Sequence, residues 1–403
     1  MKTTRIERKL ASVPRGAEIT EDLVAARWQL IGAPEEARGA LLDAESLRYM
    51  PRYQRHIENF IGTVKVPVGI AGPLRVTGTH ARGDYYVPLA TTEAALVASY
   101  SRGARLISHA GGCRTAVLEE ALGRAPGFAF RTIGEAAAFA AWLRGQAEQL
   151  AEVAAATTRY GRLIDTRPSV EGNHVYVNFE FVTGDAAGQN MVTFATEALM
   201  RHIRDHAPVT PRHAFIEANH SGDKKATGRA LQGVRGRRIA AEVEISAAAV
   251  RDSLHTDPAR MADYWRMGAI GCALSGATGV QGHYANALAA IYLACGQDVA
   301  CVAESAAGIT RFELTERGDL YAAVTLPNVL VGTVGGGTSL ASQRAALAIM
   351  GLAGEGKAGA LAEICAALCL AGEISLVGAL CAGDFSRAHR ELARPARSGG
   401  GGP

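Results

Sequence analysis

VKVPVGIAGPLRV at residues 64–76, followed by YYVPLA at 85–90, is the stretch on which the fold turns. β-Branched residues there alternate with Gly and Pro, a mix that builds strands and tight turns and that a helix does not tolerate. N-terminal to it, residues 18–48 read as helical, with Leu23, Ala26 and Leu30 on one stripe. C-terminal to it, a helix is expected from about Thr92 to Leu106.

Residues 126–214 read as a unit of their own. Helix-forming text covers Ile133–Tyr160, a strand His174–Val182, and a further helix starts near Asn190, an order that fits a small α+β module inserted in a larger domain. Strand text resumes at Ala240–Ile245. Helical text then covers Ala247–Met267, Tyr284–Cys295 and an Ala/Leu-rich stretch from Ser339 to Leu380. This gives an N-terminal helical segment (1–50), a large domain in two pieces (51–125 and 215–375), the insert (126–214) and a C-terminal segment ending in a Gly-rich tail (376–403).

Composition narrows the function. With 403 residues, 48% hydrophobic and 20% charged, the chain has material for a large core. Its net charge of +3 carries no footprint for nucleic acid or an anionic membrane, which leaves a small molecule as the expected partner. Seven cysteines, an odd number with no CxxC or Cys/His ligand pattern, point to a reducing cytoplasm and to no metal site. Met1–Arg15 is basic but lacks the apolar run of a signal peptide, and no segment is expected to be long and apolar enough to span a bilayer.

Glycine patterns offer three cofactor candidates. Gly354, Gly356 and Gly359 match G-x-G-x-x-G, with Glu373 near the acidic position, but the preceding Arg344–Leu352 reads as helix where the motif needs a strand. That match is expected to be a helix–helix turn. Thr183–Asn190, between a strand and a helix, and Gly332–Thr338, before another helix, suit the approach of main-chain N–H groups to phosphates, and equally suit plain loops. Glu93, Asp223-Lys224-Lys225, Asp298 and His389 each have an ordinary reading as a helix-end, turn or surface residue.

Taken together and in order, these segments resemble one family. Glu58-Asn59-Phe60-Ile61-Gly62 with Pro67–Leu74, Pro88–Glu93 with Val97-Ala98-Ser99, Asp223-Lys224-Lys225, Ala294–Asp298 and Gly332–Thr338 are similar to blocks of the 3-hydroxy-3-methylglutaryl-CoA (HMG-CoA) reductases. The resemblance implies a large α/β domain around a long central helix, with an inserted ferredoxin-like cofactor domain and a C-terminal flap. It implies an obligate homodimer, or a higher even oligomer, with a site shared between subunits.

Residue by residue, the resemblance implies Glu93, Lys224, Asp298 and His389 as catalytic groups, the last on spacing after Gly383. For the cofactor it implies Asp185 and Asn190, Gly335 and Gly336, and Thr158-Arg159-Tyr160 at the adenosine 2′-phosphate. An arginine fork suits a doubly charged phosphate, so NADPH is expected over NADH. For the substrate it implies Arg124, Lys225, Asn286 and His283, with Glu58 and Asn59. The chain departs from the family at Gln281-Gly282-His283, at Glu217-Ala218-Asn219, at Gln189, and at Met267, where a lysine is usual and Arg266 is adjacent.

The residue types suit the implied four-electron reduction of HMG-CoA to mevalonate and CoA. Negative charge builds twice on a carbonyl oxygen, which Lys224 would stabilise. Each hydride needs a proton, for which Glu93 is the candidate donor, with Asp298 ordering the Lys224 ammonium. His389 would protonate the departing CoA thiolate. Three other readings compete: a reductase of another acyl thioester, an NADH enzyme running in the degradative direction, and a non-catalytic relative.

Overall fold

The computed structural model describes Ser12–Gly383, and the chain divides into two compact units, Met1–Pro67 and Val68–Pro403. His389 and the Gly-rich tail lie outside the described residues.

The first unit holds four short helices: α1 (Glu21–Ile31), α2 (Glu35–Leu41), α3 (Ala44–Arg48) and α4 (Met50–Tyr53). Thr20 caps α1 and Asp43 caps α3, each side chain accepting a main-chain N–H three residues on. The expected stripe of Leu23, Ala26 and Leu30 is not the buried face, since Leu30 is 42% exposed. Val24, Arg27 and Trp28 are buried instead. Trp28 decides this: its ring joins a core of Leu42, Met50 and Phe60, and its Nε1 donates to the Ile61 carbonyl at 2.9 Å. Arg27 is carried inward beside it and donates to the carbonyls of Pro14 and Phe60.

In the second unit the Gly/Pro-rich text forms an antiparallel hairpin, β1 (Val68–Gly78) and β2 (Arg82–Ala90). The next helix, α5 (Leu96–His109), starts four residues later than expected. Thr91–Ala95 is a loop that ends on Ala95 in the left-handed region (φ 70°). Strand β3 (Cys113–Arg124) joins two sheets. Its start runs parallel to β1, its middle antiparallel to β8 (Gly236–Ile245), and its end antiparallel to β6 (His174–Val182).

Between β3 and β8 the chain forms β4 (Gly127–Ala129), α6 (Ile133–Arg144), α7 (Ala147–Ala155), β5 (Arg162–Glu171), β6, α8 (Gln189–His206) and β7 (His213–Phe215), followed by the short α9 (Arg229–Gln232). The strands lie antiparallel in the order β7-β4-β6-β5. A βαββαβ sequence with the first and third strands central is the ferredoxin-like arrangement.

Beyond β8 follow α10 (Ala247–Leu254), α11 (Pro258–Ser275), β9 (Gly279–Val280), α12 (Tyr284–Ala294), α13 (Val302–Ser305), β10 (Gly308–Leu314), β11 (Leu320–Val329), α14 (Ala341–Ile349) and α15 (Ala358–Ala382). The larger sheet continues from β8 through β11 and β10 to β9. The helical text at 339–380 is therefore two helices, and Gly354 and Gly356, both at positive φ, form the turn between them. No strand precedes this turn, so the G-x-G-x-x-G match is a helix–helix connection.

The central helix α15 lies against α5, α12, β8 and β11. It comes closest at Gly103 of α5, where any Cβ would meet the Ala371 carbonyl oxygen at 1.9 Å. The expectation that no segment is long and apolar enough to cross a membrane fails here, since α15 passes that test of length and composition. The reason is its role as core: 89% of its most apolar window is buried inside the protein. Its two glutamates are buried and satisfied by main-chain donors. Glu363 accepts the N–H groups of Thr79, His80 and Ala81 in the β1–β2 turn, and Glu373 accepts those of Gly282 and His283.

Candidate active site

Lys224 stands in the loop between β7 and α9, in the left-handed region at φ 55°. Its main-chain N–H donates to Glu304 Oε2 at 3.1 Å, and its Nζ meets Asp298 Oδ2 at 2.8 Å. Asp298 caps the 3-10 turn at 299–301 through the Ala300 N–H, and also accepts Gln189 Nε2, from the first residue of α8, at 3.0 Å. Burial raises the Asp298 carboxyl, but the hydrogen bonds from Lys224 and Gln189 outweigh it and hold the group below its ordinary value. The bond to Asp298 pushes the Lys224 ammonium up, so the lysine stays charged.

Beneath this pair lies a buried charge cluster. Asp223 meets Arg124 Nη1 at 3.1 Å and also pairs with Arg235. Arg235 is 3% exposed and donates its Nε to Glu304 at 2.8 Å. Burial dominates at Glu304, raising it to about 7 against the pull of Arg235. Arg124 is also engaged by Glu217 at 3.4 Å. Lys225 is exposed, with its Nζ on the Asp223 carbonyl at 2.9 Å.

Glu93 is exposed on the loop before α5 and accepts Asn286 Nδ2, from α12, at 3.3 Å. Both line a cleft of about 570 Å³ with Tyr100, Tyr264, His283 and Leu376. The His283 ring stacks on Tyr100 with centroids 5.5 Å apart, and its Nδ1 lies 3.2 Å from Glu373. Lys224 and Asp298 are thus brought together, as are Glu93 and Asn286. Among the described residues no hydrogen bond or ion pair joins the first pair to the second.

The residues implied for a dinucleotide fall on one assembly. Thr158 Oγ1 accepts the N–H groups of Tyr160 and Gly161 and donates to Met191 Sδ on α8, which leaves Arg159 and Tyr160 exposed at the turn. Asn190 is exposed in the first turn of α8. Asp185 is engaged: its carboxylate accepts Gly356 N at 2.6 Å and Ala358 N at 3.1 Å, at the start of α15. The Gly332–Thr338 loop packs against it, since a Cβ on Gly332 would meet Ala187 N at 2.6 Å. The Gln297 amide clasps Gly332 from both sides, at 2.8 and 2.9 Å. Gly335 and Gly336 have left-handed backbones with open space above them. Exposed Arg159 and Asn190 and this open glycine turn fit an anionic dinucleotide.

Glu58 and Asn59 belong to the first unit, Glu58 exposed and Asn59 at φ 52°. The residues that depart from the family all have structural partners or a surface place. Gln281 Oε1 accepts Tyr284 N at the start of α12, Glu217 accepts Ser221 Oγ, and Met267 is 75% exposed on α11 beside Arg266, which pairs with Asp263. Sequence reasoning missed Arg235 and Glu304. Their only signal is place, Glu304 lying six residues past Asp298 and Arg235 between Gly233 and Gly236. No group of three or more possible metal ligands occurs among the described residues.

Comparison with known proteins accords with this arrangement. A sequence model described as hydroxymethylglutaryl-coenzyme A reductase matches residues 23–394. The 3-hydroxy-3-methylglutaryl-coenzyme A reductase of Pyrococcus abyssi is 42% identical over 348 residues, covering 84% of this chain and 85% of the relative. That of Methanothermobacter thermautotrophicus is 44% identical over 344 residues, covering 85% and 86%. Among solved structures, the Streptococcus pneumoniae enzyme of the same name superposes with a TM-score of 0.66 at 19% identity, covering 90% of this chain and 99% of that one. A class II enzyme from the same organism, bound to NADPH in open conformations, gives 0.64 at 20% identity, covering 88% and 86%. With the family model spanning most of its length and relatives above 40% identity along it, the chain belongs to the hydroxymethylglutaryl-coenzyme A reductase family.

Proposed function

We propose that this protein reduces 3-hydroxy-3-methylglutaryl-CoA to mevalonate and CoA, using two NADPH. The observation that carries the reading is the Lys224–Asp298 ion pair at 2.8 Å, which keeps an ammonium charged where an oxyanion would form. Residues 126–214 would hold the cofactor, with Arg159 at the 2′-phosphate, Tyr160 and Thr158 beside it, and Asn190, Gly335 and Gly336 near the pyrophosphate. When bound, NADPH supplies the hydride.

The chain's own groups would do the rest. Lys224 stabilises the oxygen as the thioester becomes a hemithioacetal, and again as mevaldehyde is reduced. Glu93, oriented by Asn286, donates the proton to the alkoxide. His389 protonates the departing thiolate. Arg124, Lys225, Asn286 and His283 would hold the acyl-CoA. Asp185 would support the cofactor through its hold on α15.

A homodimer is part of this proposal. Glu93 and Lys224 are both exposed, and among the described residues no hydrogen bond or ion pair joins them, so a second copy placing one against the other would complete the site and exclude water. Met267, Ile270 and Leu274 on α11, 75%, 63% and 85% exposed, support an apolar contact between copies. Seven free cysteines accord with a cytoplasmic location.

The test is to follow NADPH and NADH oxidation with HMG-CoA, beside mevalonate oxidation with CoA and NADP+. Turnover with HMG-CoA and a strong preference for NADPH support the proposal. Turnover confined to another acyl thioester, or none with any, would overturn it.

A further inference from the structure

The contacts around Lys224 close into a ring. Its main-chain N–H donates to Glu304 Oε2 at 3.1 Å, and that same oxygen accepts Arg235 Nε at 2.8 Å. Arg235 Nη2 reaches Gln189 Oε1 at 3.4 Å, while Gln189 Nε2 donates to Asp298 Oδ2 at 3.0 Å. Asp298 then receives Nζ of Lys224, the residue where the ring began. Glu304 and Arg235, 1% and 3% exposed, lie below the surface that a substrate would touch.

We infer that Gln189, Arg235 and Glu304 are positioning residues that fix Lys224 against Asp298, and that Gln189 ties the cofactor-side helix α8 to this pair. The inference rests on the reading of Lys224 and Asp298 as catalytic. A lysine side chain is long and flexible, and a non-glycine residue at positive φ needs its surroundings to hold it there. Glu304 supplies that hold at the backbone and Asp298 at the ammonium. The amide of Gln189 satisfies its neighbours in one orientation only: oxygen toward the guanidinium, nitrogen toward the carboxylate. Turned over, it would set donor against donor at Arg235 and acceptor against acceptor at Asp298.

Gln189→Met keeps the length of the side chain and removes its bonds to Arg235 and Asp298, together with a weak one to Cys301 Sγ, without leaving a buried charge unpaired. Arg235 keeps Glu304 and Asp223, and Asp298 keeps Lys224. Gln189→Glu sets a second carboxylate against Asp298. Wild type, both variants and Lys224→Ala would be compared at saturating NADPH and HMG-CoA. In Gln189→Met, kcat should fall about 10-fold with KM values within about threefold. In Gln189→Glu, the acid limb of the kcat–pH profile should rise by about one pH unit, because added negative charge makes Asp298 harder to ionise. A residue that only supported the fold would not move that limb. Glu304→Gln, which keeps an oxygen for the Lys224 N–H, should retain more kcat than Glu304→Leu; if the leucine variant does not fold, the Gln189 pair decides alone.

Wild-type kcat and pH profile in both Gln189 variants would overturn the ring, as would a defect confined to the KM for NADPH. Full turnover by Lys224→Ala would show that the catalytic reading itself has failed, and this inference with it.

Discussion

Lys224 Nζ lies 2.8 Å from Asp298 Oδ2, and each residue fixes the charge of the other. Asp298 titrates below its ordinary 3.8, so its contribution to stability is complete above that pH and is lost as pH falls through the lowered value. Lys224 titrates above 10.5, so its contribution is complete below that pH and is lost as pH rises through the raised value. The pair is therefore ionised across the whole physiological range.

Asp298→Asn removes the partner that raises Lys224. The alkaline limb of the kcat–pH profile should move to lower pH while kcat falls. Steady-state rates at saturating substrate, from neutral pH upward, check this. A lower kcat with an unmoved alkaline limb would mean that Asp298 does something other than hold the ammonium.

Glu93→Gln keeps an oxygen for Asn286 Nδ2 but has no proton to give. Reduction of mevaldehyde by this variant should drop by about 100-fold or more, the scale for loss of a general acid. Near wild-type turnover in the same assay would remove Glu93 from that role.

Arg159→Ala should raise the KM for NADPH by about 10-fold, the scale of a charge-assisted hydrogen bond, and leave that for NADH nearly unchanged. Equal changes for both cofactors would place the 2′-phosphate contact elsewhere.

Asp185 gives a way to separate support of the fold from contact with the cofactor. Burial raises its carboxyl, yet the N–H groups of Gly356 and Ala358 hold it below its ordinary value, so the cap stabilises above pH 3.8 and weakens as pH falls. Asp185→Ala should cost about 0.5–2 kcal/mol, the range for losing a helix cap, seen as a lower Tm at neutral pH. An unchanged Tm with a raised KM for NADPH would make Asp185 a cofactor residue and not a cap.

How legible the fold was depends on which forces set each element. The β1–β2 hairpin and β6 announce themselves through Gly, Pro and β-branched residues, and the glycine match at 354–359 was separable from a nucleotide motif by the helix before it. Strand β3 does not announce itself. Glu119-Glu120-Ala121-Leu122 is helix-favouring text, and it is extended because β8 sets Arg238 and Arg237 opposite the two glutamates, with Arg237 3.0 Å from Glu120. Strands β5, β10 and β11 were likewise unannounced. At the site, the Lys224–Asp298 pairing was anticipated only through family resemblance. Glu304 and Arg235 carried no signal beyond their place in the chain, because a buried ion pair is a property of packing and not of local pattern.

The same limit applies to the assembly, on which the last prediction turns. Met267, Ile270 and Leu274 recur at three- and four-residue spacing along α11, so they share one face, and that face is exposed. A charge in its middle would be buried and unpaired if a second copy covers it, and solvated if none does. Leu274→Glu should therefore convert dimers at micromolar concentration into monomers by sedimentation, leave the melting of the isolated chain nearly unchanged, and abolish turnover. Loss of activity alone would not prove a shared site, since a dimer can support a site without lending residues to it. Mixing inactive Lys224→Ala chains with inactive Glu93→Gln chains supplies that proof. If Glu93 of one copy works with Lys224 of the other, a mixed dimer has one site with both defects and one with neither. With random exchange about half the dimers are mixed, so activity should return to about one quarter of wild type. No recovery after demonstrated subunit exchange would mean that each site draws both residues from one chain, and a fully active monomer would contradict the shared site outright.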